Sequence, residues 1–178
     1  MASKIDLDVR TVTSWADVEM MRRIRNSGAE RYSTHREHIT HADQVQWWTR
    51  EAGGLQAYLF SPSDTMGDVA FGLLRYHDGV YWTTVGVLPE AGGRGIGSSA
   101  LDYLVMSVAP VMCRAIVLLS NVASIKIHRL VADGGYWVHI ADHVDRAMFR
   151  TALSVVAQQR RSRWLDAAGR PSGMGGAE

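Results

Sequence analysis

At Pro89 the sequence changes from one structural pattern to another, and few folds accommodate both halves. Before it, β-type segments follow one another at residues 55–60, 68–76 and 80–88, with Ser63-Asp64 and Asp78-Gly79 supplying the turns. Connections this short join antiparallel neighbours, so these segments read as a meander. After Pro89 comes a glycine-rich loop, residues 89–97, then a helical stretch at 98–108, a strand at 115–119 and a further helix from about Val122. The pattern has become β-loop-α-β-α.

The flanks fit the same domain. Residues 9–13 alternate as an opening strand, and Ser14-Trp15-Ala16-Asp17 is a capping box that starts a helix expected to end near Arg25. A second box, Thr40-His41-Ala42-Asp43, precedes a helix with Val45, Trp48 and Ala52 on one face, stopped by Gly53-Gly54. Further on, Gly134-Gly135 stops the late helix, residues 136–140 read as a strand, and a weaker strand is expected near 144–148. Met148, Ala152, Val155 and Val156 recur near helical spacing, which predicts a terminal amphipathic helix over 147–165. The expectation is a single domain over residues 1–168 and a disordered tail over 169–178.

Nineteen basic residues against 18 acidic ones leave a charge of +1, so no global field recruits nucleic acid or an anionic membrane. The strongly apolar stretch at 115–119 is far too short to span a bilayer, and the first residues lack the apolar core of a secretory signal. A cytoplasmic location is therefore expected. Cys113 is the only cysteine, which excludes an internal disulfide and a thiolate metal cluster within one chain. Its apolar neighbours favour a small buried hydrophobe over a nucleophile.

The loop from Val85 to Ser98 offers a strand, several positions without side chains and a helix start. Exposed N–H groups at a first helical turn, with the helix dipole behind them, can hold a pyrophosphate. Arg94 could add a charge-assisted contact. A phosphate loop of the nucleotide-hydrolase type needs a lysine after its last glycine, and Gly97 is followed by Ser98-Ser99. Gly95-x-Gly97-x-x-Ala100 fits a dinucleotide fingerprint, but the ribose-binding acid expected about 20 residues on is missing. A flexible glycine turn without a ligand stays open as the plain alternative.

Val85-x-Val87-x-Pro89-Glu90 followed by Arg94-Gly95-Ile96-Gly97-Ser98-x-Ala100-Leu101 resembles the acetyl-CoA loop of the GNAT acetyltransferases. That loop is usually written Gln/Arg-x-x-Gly-x-Gly/Ala. Gly95 and Gly97 take the small positions, while Gly92 stands where Gln or Arg is usual. A second stretch, Ser120-Asn121-Val122-Ala123-Ser124 through His128 to Gly135-Tyr136, is similar to the family's Asn-x-x-Ser/Ala helix and its closing Gly-Phe/Tyr, with that closing pair about two residues late.

The resemblance implies the α+β GNAT fold: a mixed, mostly antiparallel central sheet with helices on both faces. It implies acetyl-CoA as cosubstrate, contacted by Val85, Val87, Gly92, Gly93, Arg94, Gly95, Ile96, Gly97, Ser98, Asn121 and Ser124. It also implies strands that splay apart around Val87 and Leu118, with backbone N–H groups near Val85 and Val87 polarising the thioester carbonyl.

Spacings of three and four put Asn121, Ser124 and His128 on one helical face. In the resembled family a tyrosine often stands where His128 does, so His128 is the candidate general acid for the CoA thiolate, provided it is protonated. An ordinary solvated helix histidine is the competing reading, as a helix N-cap is for Asn121. No general base is assigned, and water-mediated transfer stays open.

The N-terminal third is expected to form the acceptor pocket. Arg25-Asn26, the His/Arg-rich stretch 31–41 and Trp47 resemble members that acetylate nucleotide-linked amino sugars, with Trp48 in the core. His35, His38 and His41 have no acidic or thiol companion, and His139 and His143 with Asp142 and Asp145 are no more specific, so no metal is expected. The partner is expected to be a small-molecule amine, with a homodimer through the terminal helix as a further option. A GNAT fold that senses acyl-CoA without turnover is the alternative function.

Overall fold

The computed structural model describes residues 5–32, 37–64, 67–109, 111–131 and 136–141. In chain order its elements are β1 (Leu7–Thr11), α1 (Trp15–Tyr32), α2 (His41–Glu51), β2 (Leu55–Pro62), β3 (Ala70–His77), β4 (Val80–Val87), α3 (Ile96–Ser107), β5 (Cys113–Leu118), α4 (Val122–Val131) and β6 (Tyr136–Ala141). The strands form one sheet in the order β1-β2-β3-β4-β5-β6. Pairing is antiparallel through β4 and parallel from β4 to β6. The change of pattern at Pro89 is thus a change from hairpins to helical crossovers, and the α+β expectation holds.

Local chemistry accounts for the element starts. Asp17 accepts from the N–H groups of Thr13 (3.1 Å) and Ser14 (2.9 Å), while its own N–H donates to Ser14 Oγ (3.2 Å). Thr40 and Asp43 form the reciprocal box at α2. Asp78 and Gly79 both have positive φ, 50° and 74°, as a tight hairpin turn of the primed type requires.

One boundary differs from expectation. Helix α1 runs to Tyr32, beyond Arg25. Among the residues whose burial is described, its buried apolar stripe is Val18, Met21 and Ile24, and Arg25 to Gly28 add nothing to it.

The pleat sends alternate residues to opposite faces of the sheet. Ala57, Leu59 and Phe71 pack with Val12 and with Val18, Met21 and Ile24 of α1. Phe60, Ala70, Leu74, Cys113, Ala115 and Val117 pack with Ile96, Ala100, Leu101 and Leu104 of α3. Helices therefore cover both faces. Cys113 is buried, and burial pushes its thiol up to about 11, as suits a packing residue. The expected strand at 144–148, the terminal helix and the tail lie outside the described residues.

Gly86 shows how tight the middle of the sheet is. A Cβ there would lie 2.2 Å from Cε1 of Phe71. We expect Gly86→Ala to lower unfolding stability by about 1–3 kcal/mol, the usual cost of overpacking. A denaturant titration with an unchanged midpoint would contradict the packing described.

Candidate functional site

Strand β4 is paired with β3 along its whole length, from Val80 opposite His77 to Val87 opposite Ala70. On its other side it meets β5 at only two positions, Tyr81 with Cys113 and Trp82 with Arg114. There the Thr83 hydroxyl donates to the Arg114 carbonyl (3.2 Å, buried), a side-chain bond where the ladder ends. Beyond it, β5 continues against β6 alone, to Leu118 opposite Ala141. A wedge opens inside the sheet.

Alternation fixes which groups line it. The Tyr81 N–H points to β5, donating to Met112 (2.9 Å), and the Leu88 N–H points to β3, donating to Val69 (2.9 Å). The β3–β4 register between them has no bulge, so the peptide groups of Val85 and Val87 face the wedge. An extended ligand bearing amide groups can pair with such an edge as a strand would.

The glycine loop sits at the wide end. A 3₁₀ turn, Pro89–Ala91, leads through Gly92 to Gly93 and Gly95, whose φ values are 77° and 85°. Gly95 is the N-cap of α3 and offers no side-chain cap. The first bond into the helix runs from Ser99 N–H to the Gly95 carbonyl (3.0 Å), which leaves the N–H groups of Ile96, Gly97 and Ser98 without an intrahelical acceptor. A Cβ on Gly93 would meet nothing within 4 Å, so the space over the loop is open.

Ile96 and Gly97 are otherwise buried, and only their backbone can serve a ligand. Gly97 is also a packing residue: its Cβ would lie 3.0 Å from Ile127 Cδ1 of α4 and 3.5 Å from Val87 Cγ2. Arg94 is exposed and paired with Asp64 (3.0 Å), an ion pair weak enough for a phosphate to displace.

On α4, Asn121 is the N-cap: its Oδ1 accepts from the Ser124 N–H (3.0 Å). Ser124 and His128 lie one turn apart and touch, with His128 Nδ1 2.6 Å from the Ser124 carbonyl oxygen and 3.2 Å from its hydroxyl. His128 is only 8% exposed, so it is not a solvated helix histidine. Burial pushes its pKa below the ordinary 6.5, and the Ser124 carbonyl opposes this only in part. Burial thus favours the neutral ring over the imidazolium.

Arg25 and Asn26, expected to line the acceptor pocket, hydrogen-bond to the chain that leads into α2. Asn26 Nδ2 donates to the Ile39 carbonyl (2.9 Å) and its Oδ1 accepts from the Ile39 N–H (3.0 Å). A carboxamide matches the N–H and C=O of a single residue, so this side chain clamps the chain entering α2. Arg22 donates to the same carbonyl (2.8 Å) and Arg25 to that of Glu37 (3.5 Å). Trp47, expected off the buried face, packs with Trp48 against the α1 side of the core, the rings 6.0 Å apart. His38 Nε2 accepts from Asn26 and His41 Nδ1 meets Glu19 Oε2 (3.1 Å), so both are engaged within the fold. His35, Asp142, His143 and Asp145 lie outside the described residues, and His139 sits in β6.

Thr83 and Gly86 were not singled out from the sequence. A glycine inside a strand was the available signal for Gly86, while nothing local marks Thr83.

A comparison with protein families matches residues 19–131 to the acetyltransferase (GNAT) family. Among solved structures, an N-acetyltransferase from Staphylococcus aureus Mu50 is 17% identical, with a TM-score of 0.60 over 71% of this chain and 82% of that one. A Salmonella typhimurium protein solved with acetyl-CoA is also 17% identical (TM-score 0.58, 71% and 78% covered). Spermidine N-acetyltransferase from Vibrio cholerae, in complex with CoA and spermine, is 10% identical (TM-score 0.59, 70% and 78% covered). At such identities the likeness shows a shared fold. A comparison with curated proteins finds no match.

Proposed function

Since the chain belongs to the acetyltransferase (GNAT) family, we propose that it transfers the acetyl group of acetyl-CoA to a primary amine, which attacks the thioester directly. The observation that carries this reading is the wedge between β4 and β5, whose open Val85–Val87 edge leads to the N–H groups at the start of α3. Pantetheine would pair with the edge and the pyrophosphate would sit over Gly93 and Gly95, held by the N–H groups of Ile96, Gly97 and Ser98. The Val85 and Val87 N–H groups then lie near the thioester carbonyl and can stabilise its developing negative charge. Asn121 and Ser124 shape the start of α4, and His128 brings the proton-transfer group.

The acceptor is a small amine, an amino sugar or a polyamine of the kind named for the Vibrio cholerae structure. It would enter from the side where Asn26 and Arg22 hold the Ile39 backbone. Among the described residues no helix is long and apolar enough to cross a membrane.

Calorimetry with acetyl-CoA, followed by thiol release in the presence of spermidine and glucosamine-type amines, tests the proposal. Saturable binding with amine-dependent release is expected. Binding without release from any amine would favour an acyl-CoA sensor, and absence of binding would overturn the reading. Arg94→Gln should weaken acetyl-CoA by about three- to tenfold, the loss of one charge-assisted contact, while stability moves by less than about 0.5 kcal/mol because the Asp64 pair is exposed. Unchanged affinity would remove Arg94 from the phosphate contacts.

A further inference from the structure

We infer that Asp64 is a built-in competitor for the phosphate groups of CoA: it holds the Arg94 guanidinium and must release it when a phosphate takes its place. This inference rests on the acetyl-transfer reading above. Between Ala91 and Ile96 the loop consists of Gly92, Gly93, Arg94 and Gly95, so Arg94 is the one side chain it can offer to a ligand. Gly93 and Gly95, with φ 77° and 85°, turn the backbone on either side of it. The guanidinium does not pair with Glu90, four residues back in the chain. Its Nη2 instead meets both carboxylate oxygens of Asp64, at 3.0 and 3.2 Å, across 30 residues of sequence.

Asp64 has little else to do in the fold. Its side chain is 71% exposed, and among the described residues Arg94 is its one partner. The contrast is with Asp17 and Asp68, about 10% exposed, which fasten Arg10 and other groups inside the structure. Asp64 follows the end of β2 at Pro62, so the carboxylate comes to the loop from another part of the sheet. The first turn of α3 carries no acidic residue of its own. Two anions on one guanidinium repel each other, and the exposed carboxylate is the one with an open route back to water. Each CoA molecule that uses Arg94 must therefore first overcome this pair. The same carboxylate recaptures Arg94 when CoA leaves, so it weakens cosubstrate and product alike, since both carry the same pyrophosphate.

Calorimetry on the full chain tests this in four forms: unmodified, Asp64→Asn, Arg94→Gln and the double variant. Asp64→Asn should bind acetyl-CoA and CoA about two- to fivefold more tightly, by the same factor for both, as the loss of one exposed ion pair allows. In the Arg94→Gln background the same change should leave affinity within about twofold, because the competition acts only through the guanidinium. Acetyl-pantetheine, which has no phosphate, should bind Asp64→Asn and the unmodified chain equally. Unchanged or weaker acetyl-CoA binding in Asp64→Asn would overturn the inference. So would a gain that persists without Arg94, which is plain repulsion between charges, or a gain that extends to acetyl-pantetheine. Failure of the unmodified chain to bind acetyl-CoA at all would sink the functional reading along with this inference. Normal binding with no response to Asp64→Asn would sink the inference alone.

Discussion

Gly95→Val should bind acetyl-CoA at least about 30-fold more weakly than the unmodified chain, equivalent to about 2 kcal/mol. Gly95 has φ 85° and ψ −4°, the left-handed conformation that a β-branched residue adopts only under strain. The substitution must either hold that strain or turn the N-cap, and turning it re-aims the N–H groups of Ile96, Gly97 and Ser98. A side chain there would also stand between the backbone and the pyrophosphate proposed to sit over the loop. Gly95→Asn separates the causes, since asparagine tolerates the left-handed region and retains the obstruction. We expect Asn to keep most of the stability and still lose affinity. Unaltered calorimetric affinity in a folded Gly95→Val chain would remove the loop from the cofactor site.

The largest stability effect is expected at Asp17. This carboxylate is 6% exposed, accepts from two backbone N–H groups that begin α1, and pairs with Arg10, which also holds Asp68. Replacing it with alanine leaves those donors unanswered near the α1 side of the core, so Asp17→Ala should cost about 2–4 kcal/mol in a denaturant titration. A loss below about 1 kcal/mol would show that water satisfies those donors without penalty.

The same residue sets a sign for pH. Burial pushes the Asp17 pKa up, but the Arg10 guanidinium and the Thr13 and Ser14 N–H groups outweigh this and hold it well below the usual carboxylate range. A depressed pKa contributes stability that is complete above the unfolded value, about 3.9, and is lost as pH falls through the folded value. Stability should therefore decline below about pH 4, less steeply in Asp17→Asn. Glu19, held at about 2 chiefly by Arg22 and then by His41, keeps the remaining slope. An acid limb equally steep in Asp17→Asn would contradict the assignment.

Most of the element order was legible because its signals are local. The boxes at Ser14 and Thr40 are satisfied within four residues, and the Asp78-Gly79 turn needs only its own backbone freedom. The run of glycines before α3 was legible for the same reason, and with it the candidate phosphate site. The end of α1 was not, because Arg25 and Asn26, just past Ile24, serve the chain leading to α2 rather than the core, and periodicity reports only the core.

Three features depended on partners distant in sequence. The wedge opens beyond the point where Thr83 meets Arg114 across the sheet, 31 residues away, which is where the β4–β5 ladder ends. Asn26 became a clamp because Ile39, 13 residues on, returns to it with both peptide groups unpaired by helix or strand. His128 was visible as a candidate, but its protonation depends on burial and on the Ser124 carbonyl, and burial comes only from the packed structure. Sequence determined which groups this protein brings to its site. Tertiary structure decided which edges stay unpaired and which proton each group carries, since both depend on what excludes water from them.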